Sequence, residues 1–165
     1  MTAPIIRPWQ NDDVNGIARI MASHTLWQRY GVTVKGATVR LRTLWHDQEQ
    51  GFVAVDPQAG KVIGFALYNQ RSFGDSGYIR LFGVDTSATS QGLGRRLLSV
   101  VEAALSQAGV ARLLLLCAEW NTQAQRFYEG NGFARVGLLP DWVIDGTNEV
   151  IYAKHLMRIG SPLKR

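Results

Sequence analysis

Only one of the 165 residues is a cysteine, Cys117, which excludes an internal disulfide, and no cluster of cysteine and histidine has the spacing of metal ligands. Both absences suit a reducing compartment and a site without a metal. Long apolar runs are missing as well: the longest, residues 113–118, is far below the roughly 20 residues of a membrane-spanning helix. The opening Met1-Thr2-Ala3-Pro4 has neither the charged nor the apolar region of a signal peptide. A cytoplasmic chain with no membrane partner is therefore expected. Cys117 sits inside the apolar run with no histidine near it in sequence, which marks it as a packing residue rather than a nucleophile.

Charge of one sign is not gathered anywhere. The 18 basic residues, against 13 acids, are scattered from Arg7 to Arg165, so the net charge of +5 implies no nucleic-acid partner. One local shortage stands out: residues 86–101 contain no acid, while Arg95 and Arg96 stand side by side after a glycine pair. A bound anion suits that place. The length and an apolar share of 46% are those of one globular domain, taken as residues 1–159 with a frayed tail at 160–165.

Periodicity gives the elements. Residues 5–7 read as a first strand, and Asn11-Asp12-Asp13 as an acidic cap on a helix whose apolar side is Val14, Ile17, Ile20 and Met21. Residues 24–33 break the pattern. A second helix is expected over 34–46, carrying Val34, Leu41, Leu44 and Trp45, and then a hairpin of strands 51–56 and 62–69 around Pro57-Gln58-Ala59-Gly60. Residues 78–84 form another strand. Leu93, Leu97, Val101, Ala104 and Leu105 recur at helical spacing up to Gly109, and 113–118 reads as a strand buried on both faces. Strand, long helix and buried strand make a parallel crossover. Asn121 caps a short helix to Glu129, Gly130-Asn131-Gly132 stops it, and 133–139 with 149–154 close the chain as an antiparallel pair.

A glycine-rich turn entering a helix presents unpaired N–H groups and a partial positive charge, so Ser90-Gln91-Gly92-Leu93-Gly94-Arg95-Arg96 has the chemistry of an anion cradle. The glycines also suit a tight strand-to-helix turn and nothing more. A Walker A loop would need Gly-Lys-Ser/Thr, and a dinucleotide fingerprint a third glycine where Leu97 stands, so neither nucleotide motif fits.

Over residues 78–154 the sequence resembles the GNAT superfamily of acetyl-CoA-dependent N-acetyltransferases. Residues 78–84 followed by 89–94 are similar to that family's fourth strand and its R/Q-x-x-G-x-G/A pyrophosphate motif, with Thr89 where the family usually has Arg or Gln. Asn121, Ala124, Phe127, Tyr128, Gly132 and Phe133 match its N-x-x-A-x-x-F/L-Y-x-x-x-G-F signature.

The resemblance implies an α+β fold: a mixed, mostly antiparallel sheet flanked by about four helices, with the parallel crossover at its centre. It further implies acetyl-CoA as cosubstrate and no metal. Thr89, Gln91, Gly92, Leu93, Gly94, Arg95 and Arg96 would hold the pyrophosphate, while Phe82, Gly83, Val84, Asn121, Ala124, Phe127 and Tyr128 would meet the rest of the coenzyme. The strands 78–84 and 113–118 would splay around the thioester. Tyr128 would be the acid for the departing thiolate, a reading favoured over mere helix-face packing beside Phe127, and the Val84 N–H would donate to the oxyanion.

Where relatives often carry a glutamate base this chain has Tyr78 and Leu116, which leaves Glu119 as a substitute base and Glu149 and Asp141 as further carboxylates. The acceptor pocket is expected from Trp27, Arg29, Tyr30, Trp120, Asp141, Trp142 and Glu149, although tryptophans in a small domain also fill core. Arg80 is either an anchor for a substrate carboxylate or an exposed charge. Direct transfer to an amine is the leading reading, a catalytically silent CoA-binding module its rival, and a homodimer one option for assembly.

Overall fold

The computed structural model describes residues 2–157, with the backbone alone described at 89–91. The tail expected at 160–165 lies outside the described residues. Among the described residues there are seven strands: β1 (Ile5–Pro8), β2 (Gln50–Asp56), β3 (Lys61–Ser72), β4 (Ser76–Val84), β5 (Arg112–Ala118), β6 (Ala134–Leu139) and β7 (Glu149–His155). They form one sheet in the order β1-β2-β3-β4-β5-β7-β6. It is mostly antiparallel with one parallel pair, β4 with β5, as the sequence implies.

The helices are α1 (Val14–Ser23), α2 (Thr25–Arg29), α3 (Val34–His46), α4 (Leu93–Gln107) and α5 (Thr122–Gly130). The addition to the expected four is α2, one turn long, in the segment where the pattern breaks. His24 accepts a hydrogen bond from the Leu26 N–H at 3.4 Å to start it, and the burial of Trp27 holds it.

Contacts cluster in two compact units, Met1–Tyr68 with Leu81–Val101, and Asn69–Arg80 with Glu102–Arg165. In the first, Val14, Ile17, Ile20 and Met21 of α1 recur at helical spacing and are buried with Leu41 and Leu44 of α3 and Phe65 and Leu67 of β3. On α3 the packing face is Ala37, Leu41 and Leu44. Val34 is 53% exposed at the open first turn, and Trp45 turns to the rim, edge-on to Trp9 at 5.1 Å. The β2–β3 hairpin closes because Asp56 Oδ1 accepts from the Gln58 N–H at 2.9 Å and Gly60 takes φ +63.

In the second unit β5 is the spine. It pairs in parallel with β4 from Gly77↔Leu113 to Ile79↔Leu115, and antiparallel with β7 over its whole length, from Arg112↔His155 to Ala118↔Glu149. Leu113, Leu115 and Cys117 are buried, whereas Leu114 and Leu116 are half-buried. The apolar run therefore reflects one core face and one partly covered face, rather than the two fully covered faces expected. Strand β6 ends the sheet. Its register with β7 shifts between Arg135 and Gly137, which leaves Val136 as a bulged residue 58% exposed.

Candidate active site

The turn expected to cradle an anion begins at the end of β4. Successive N–H groups of a strand point to opposite edges; because the Asp85 N–H donates to the Ile63 carbonyl of β3 at 2.9 Å, the Val84 N–H points away from β3. Asp85 then caps a 3-10 turn over Thr86–Gln91, accepting from the Ser87 N–H and Oγ at 3.1 and 2.7 Å. Gly92 follows at φ +65, in the left-handed region that glycine enters without strain, and reverses the chain into α4 at Leu93.

The outcome is a helix N-terminus preceded by a capped turn, with Leu93 buried and Gly94 half-buried. Arg95 and Arg96 are exposed, and Arg96 donates to the Pro4 carbonyl at 2.9 Å, so its charge is tethered beside the N-terminus. The side chains of Thr89 and Gln91, expected to contribute here, lie outside the described residues. Phe82 and Val84 are half-buried, while Gly83 is buried under Trp27 and Phe65.

Asn121 caps α5 as its sequence position predicts, accepting from the Ala124 N–H at 3.1 Å, which commits its Oδ1 to the helix. Tyr128, 8% exposed, sits in an aromatic nest with Phe127 at 5.3 Å, Phe133 at 5.7 Å and Tyr152 at 6.2 Å between ring centres. Burial, with Cys117 adding, raises its phenol above the ordinary value, so it stays protonated. Tyr152 is fully buried and donates to Glu129 Oε1 at 2.7 Å; burial and that bond push it up to about 12. Burial likewise pushes the Cys117 thiol up to about 12, in keeping with a packing role.

Among the carboxylates, Glu119 is exposed and engaged, accepting from Asn148 Nδ2 at 2.9 Å and Arg135 at 3.3 Å. Glu149, by contrast, is buried at the first position of β7, opposite Ala118. Asp141 is exposed at φ +49 and accepts from the Gly146 N–H at 2.7 Å, closing the loop that displays Trp142 at 62% exposure. Trp120 and Arg80 are half-buried.

Of the expected acceptor residues in the other unit, Trp27 is a core residue, stacked on Phe65 at 5.7 Å. Arg29 is exposed and Tyr30 half-buried. Arg19 and Asp85 were not anticipated at all. The Asp-x-Ser spacing of residues 85–87, an Asx-turn pattern, is a signal that could have found the second of them. Among the described residues no group of three His, Cys, Asp or Glu side chains is placed to hold a metal ion, and no helix is long and apolar enough to cross a membrane.

A seven-stranded open sheet with one parallel pair, and a glycine turn entering a helix after its fourth strand, is the arrangement of an acetyltransferase fold. The description of the acetyltransferase (GNAT) family fits residues 18–133, and the chain belongs to that family. Mycothiol acetyltransferase of Geodermatophilus obscurus is 31% identical over 130 residues, 76% of this chain and 41% of that protein. The enzyme of the same name from Salinispora tropica is 37% identical over 95 residues, 55% of this chain and 31% of its own length. The chain spans less than half the length of these curated relatives. The solved ribosomal-protein-S18-alanine N-acetyltransferase of Escherichia coli shares the fold, with a TM-score of 0.76 at 22% identity over 98% of this chain and 99% of that one.

Proposed function

We propose that the chain is an N-acetyltransferase that uses acetyl-CoA and acetylates a primary amine by direct attack. The observation that carries this reading is the turn itself: a capped turn and a left-handed Gly92 leading into the N-terminus of α4, in a stretch free of acids and followed by two arginines. Those groups fit the pyrophosphate of a coenzyme. Bound there, acetyl-CoA supplies an activated thioester.

The backbone N–H groups at 92–94 bind and orient the diphosphate, while that of Arg96 donates to the Gly92 carbonyl at 3.2 Å. The Val84 N–H, directed away from β3, donates to the developing oxyanion. Tyr128, kept protonated by burial, holds the proton for the departing sulfur. The incoming ammonium must first lose a proton. Glu149 and Glu119 are the carboxylates proposed to take it, Glu119 after releasing Arg135.

A second reading, a CoA-binding module without turnover, is favoured by one observation: Glu119, the substitute base, is tied to Arg135 and Asn148. A thiol-release assay with acetyl-CoA decides between them, run against small amines, amino acids, peptide N-termini and lysine peptides. Release with any acceptor supports the enzyme. Stoichiometric CoA binding with no release across the panel supports the module.

A further inference from the structure

Resting on the reading of the Gly92 turn and the start of α4 as a pyrophosphate cradle, we propose that Arg19 and Asp85 are positioning residues for it: they fix the turn between β4 and α4, so that coenzyme affinity rather than the chemical step depends on them. Asp85 is buried, and each of its polar groups is committed. Its N–H donates to the Ile63 carbonyl at 2.9 Å and its carbonyl accepts from the Ala88 N–H at 2.8 Å. Oδ1 accepts from the Ser87 N–H and Oγ at 3.1 and 2.7 Å, and Oδ2 from Arg19 at 2.9 Å. The second guanidinium nitrogen of Arg19 donates to the Val62 carbonyl at 2.8 Å.

The anchor behind Arg19 is rigid. Its neighbours Ile17, Ala18, Ile20 and Met21 are buried in the core, so α1 cannot shift without opening that core. A continuous line therefore runs from α1 through the guanidinium to the carboxylate, and from there to Ser87 and the turn that ends at Gly92. A fork that reaches a carboxylate and a carbonyl together is a geometry lysine cannot reproduce. The pair has an electrostatic role too: a bare carboxylate near a diphosphate would repel it, and Arg19 neutralises Asp85. Burial works to raise the Asp85 carboxyl, but the bonds from Arg19 and Ser87 bring it down to about 2, so the charge stays paired at any working pH.

The test compares Asp85→Ala, Arg19→Met, Arg19→Lys, Ser87→Ala and the Asp85→Ala/Arg19→Met double variant. CoA binding is measured by calorimetric titration, amide hydrogen exchange over residues 86–92 is followed in the free protein, and kcat and KM for acetyl-CoA are determined. Each of the first two variants is expected to weaken CoA binding by about tenfold, the size of one lost charge-assisted hydrogen bond, with kcat at saturation little changed. The double variant should lose no more than the worse single one, because the residues act as a unit. Arg19→Lys should recover only part of the loss. Ser87→Ala, at an exposed position, covers the case in which a burial-perturbing variant fails to fold, and should weaken binding less. Exchange at 86–92 should accelerate in Asp85→Ala and Arg19→Met without any ligand.

If the native chain does not bind CoA, the cradle reading falls and this inference with it. If the native chain binds and the variants bind within twofold of it, or if exchange at 86–92 is unchanged, this inference alone is overturned.

Discussion

Gly83 lies directly beneath the indole of Trp27: a Cβ built on it would stand 2.6 Å from Trp27 Cη2 and 3.0 Å from Phe65 Cε1. Neither ring can retreat, because Trp27 and Phe65 stack on each other inside the core. Gly83→Ala should therefore destabilise the fold by about 1–3 kcal/mol in urea titrations, the cost of overpacking. Combining it with Trp27→Ala should remove most of that increment, and an undiminished penalty in the double variant would show that Trp27 is not the obstacle.

Tyr128→Phe keeps the ring in its nest of Phe127, Phe133 and Tyr152 and deletes only the hydroxyl. If the hydroxyl is the acid, kcat should fall by about a hundredfold with KM for acetyl-CoA nearly constant. The raised phenol of the native chain is protonated at all pH values up to its shifted pKa, so native turnover should show no acid-limited decline between pH 7 and 9. Unchanged turnover in the variant across that range would mean that another group protonates the sulfur.

Gly92 separates strain from charge. Its φ of +65 has open space around the missing Cβ, so Gly92→Ala meets no clash and costs only the left-handed penalty, about 1–2 kcal/mol of stability. Gly92→Glu adds negative charge at the cradle. CoA affinity should drop well below that of Gly92→Ala, and equal affinities would place the diphosphate elsewhere.

Alkaline titration provides a check independent of activity. The Cys117 thiol is raised from 9.0 to about 12, and Tyr152 from 10.0 to about 12. The folded state thus holds these protons more tightly than the unfolded chain. Their stabilisation is complete below pH 9 and is lost as pH rises from 9 toward 12, at up to about 1.4 kcal/mol per pH unit for each group. Between pH 9 and 10 the thiol leads, so Cys117→Ala should flatten the stability profile there. Parallel profiles would show that the thiol does not titrate differently on folding.

Much of this was legible in the sequence because it was local. The heptad-like recurrence from Leu93 to Leu105 is α4, the Asn121 cap and Gly132 stop bound α5, and the turn at 57–60 closes β2 onto β3. What was not legible depended on long-range packing. Residues 25–29 are too few to show a helical period, and α2 forms because Trp27 finds Phe65 nearly forty positions away. The same contact makes Trp27 a core residue, where its place in a broken segment had suggested an acceptor pocket. Arg19 and Asp85 are separated by 66 positions, and nothing in either segment announces the partner. For Glu119 the sequence marked the residue, yet not Arg135 or Asn148, the side chains that hold it.

The irregular pairing of β6 with β7 has a consequence for how copies of this chain meet. As the last strand of the sheet, β6 offers its outer row of N–H and carbonyl groups to any passing strand, and its exposed Val136 and Leu138 would reward such an encounter. A bulge at Val136 breaks the even spacing of that row and twists the strand, which interrupts the register that an added strand would need along it. One surplus residue thereby serves as a guard against runaway strand stacking at high concentration.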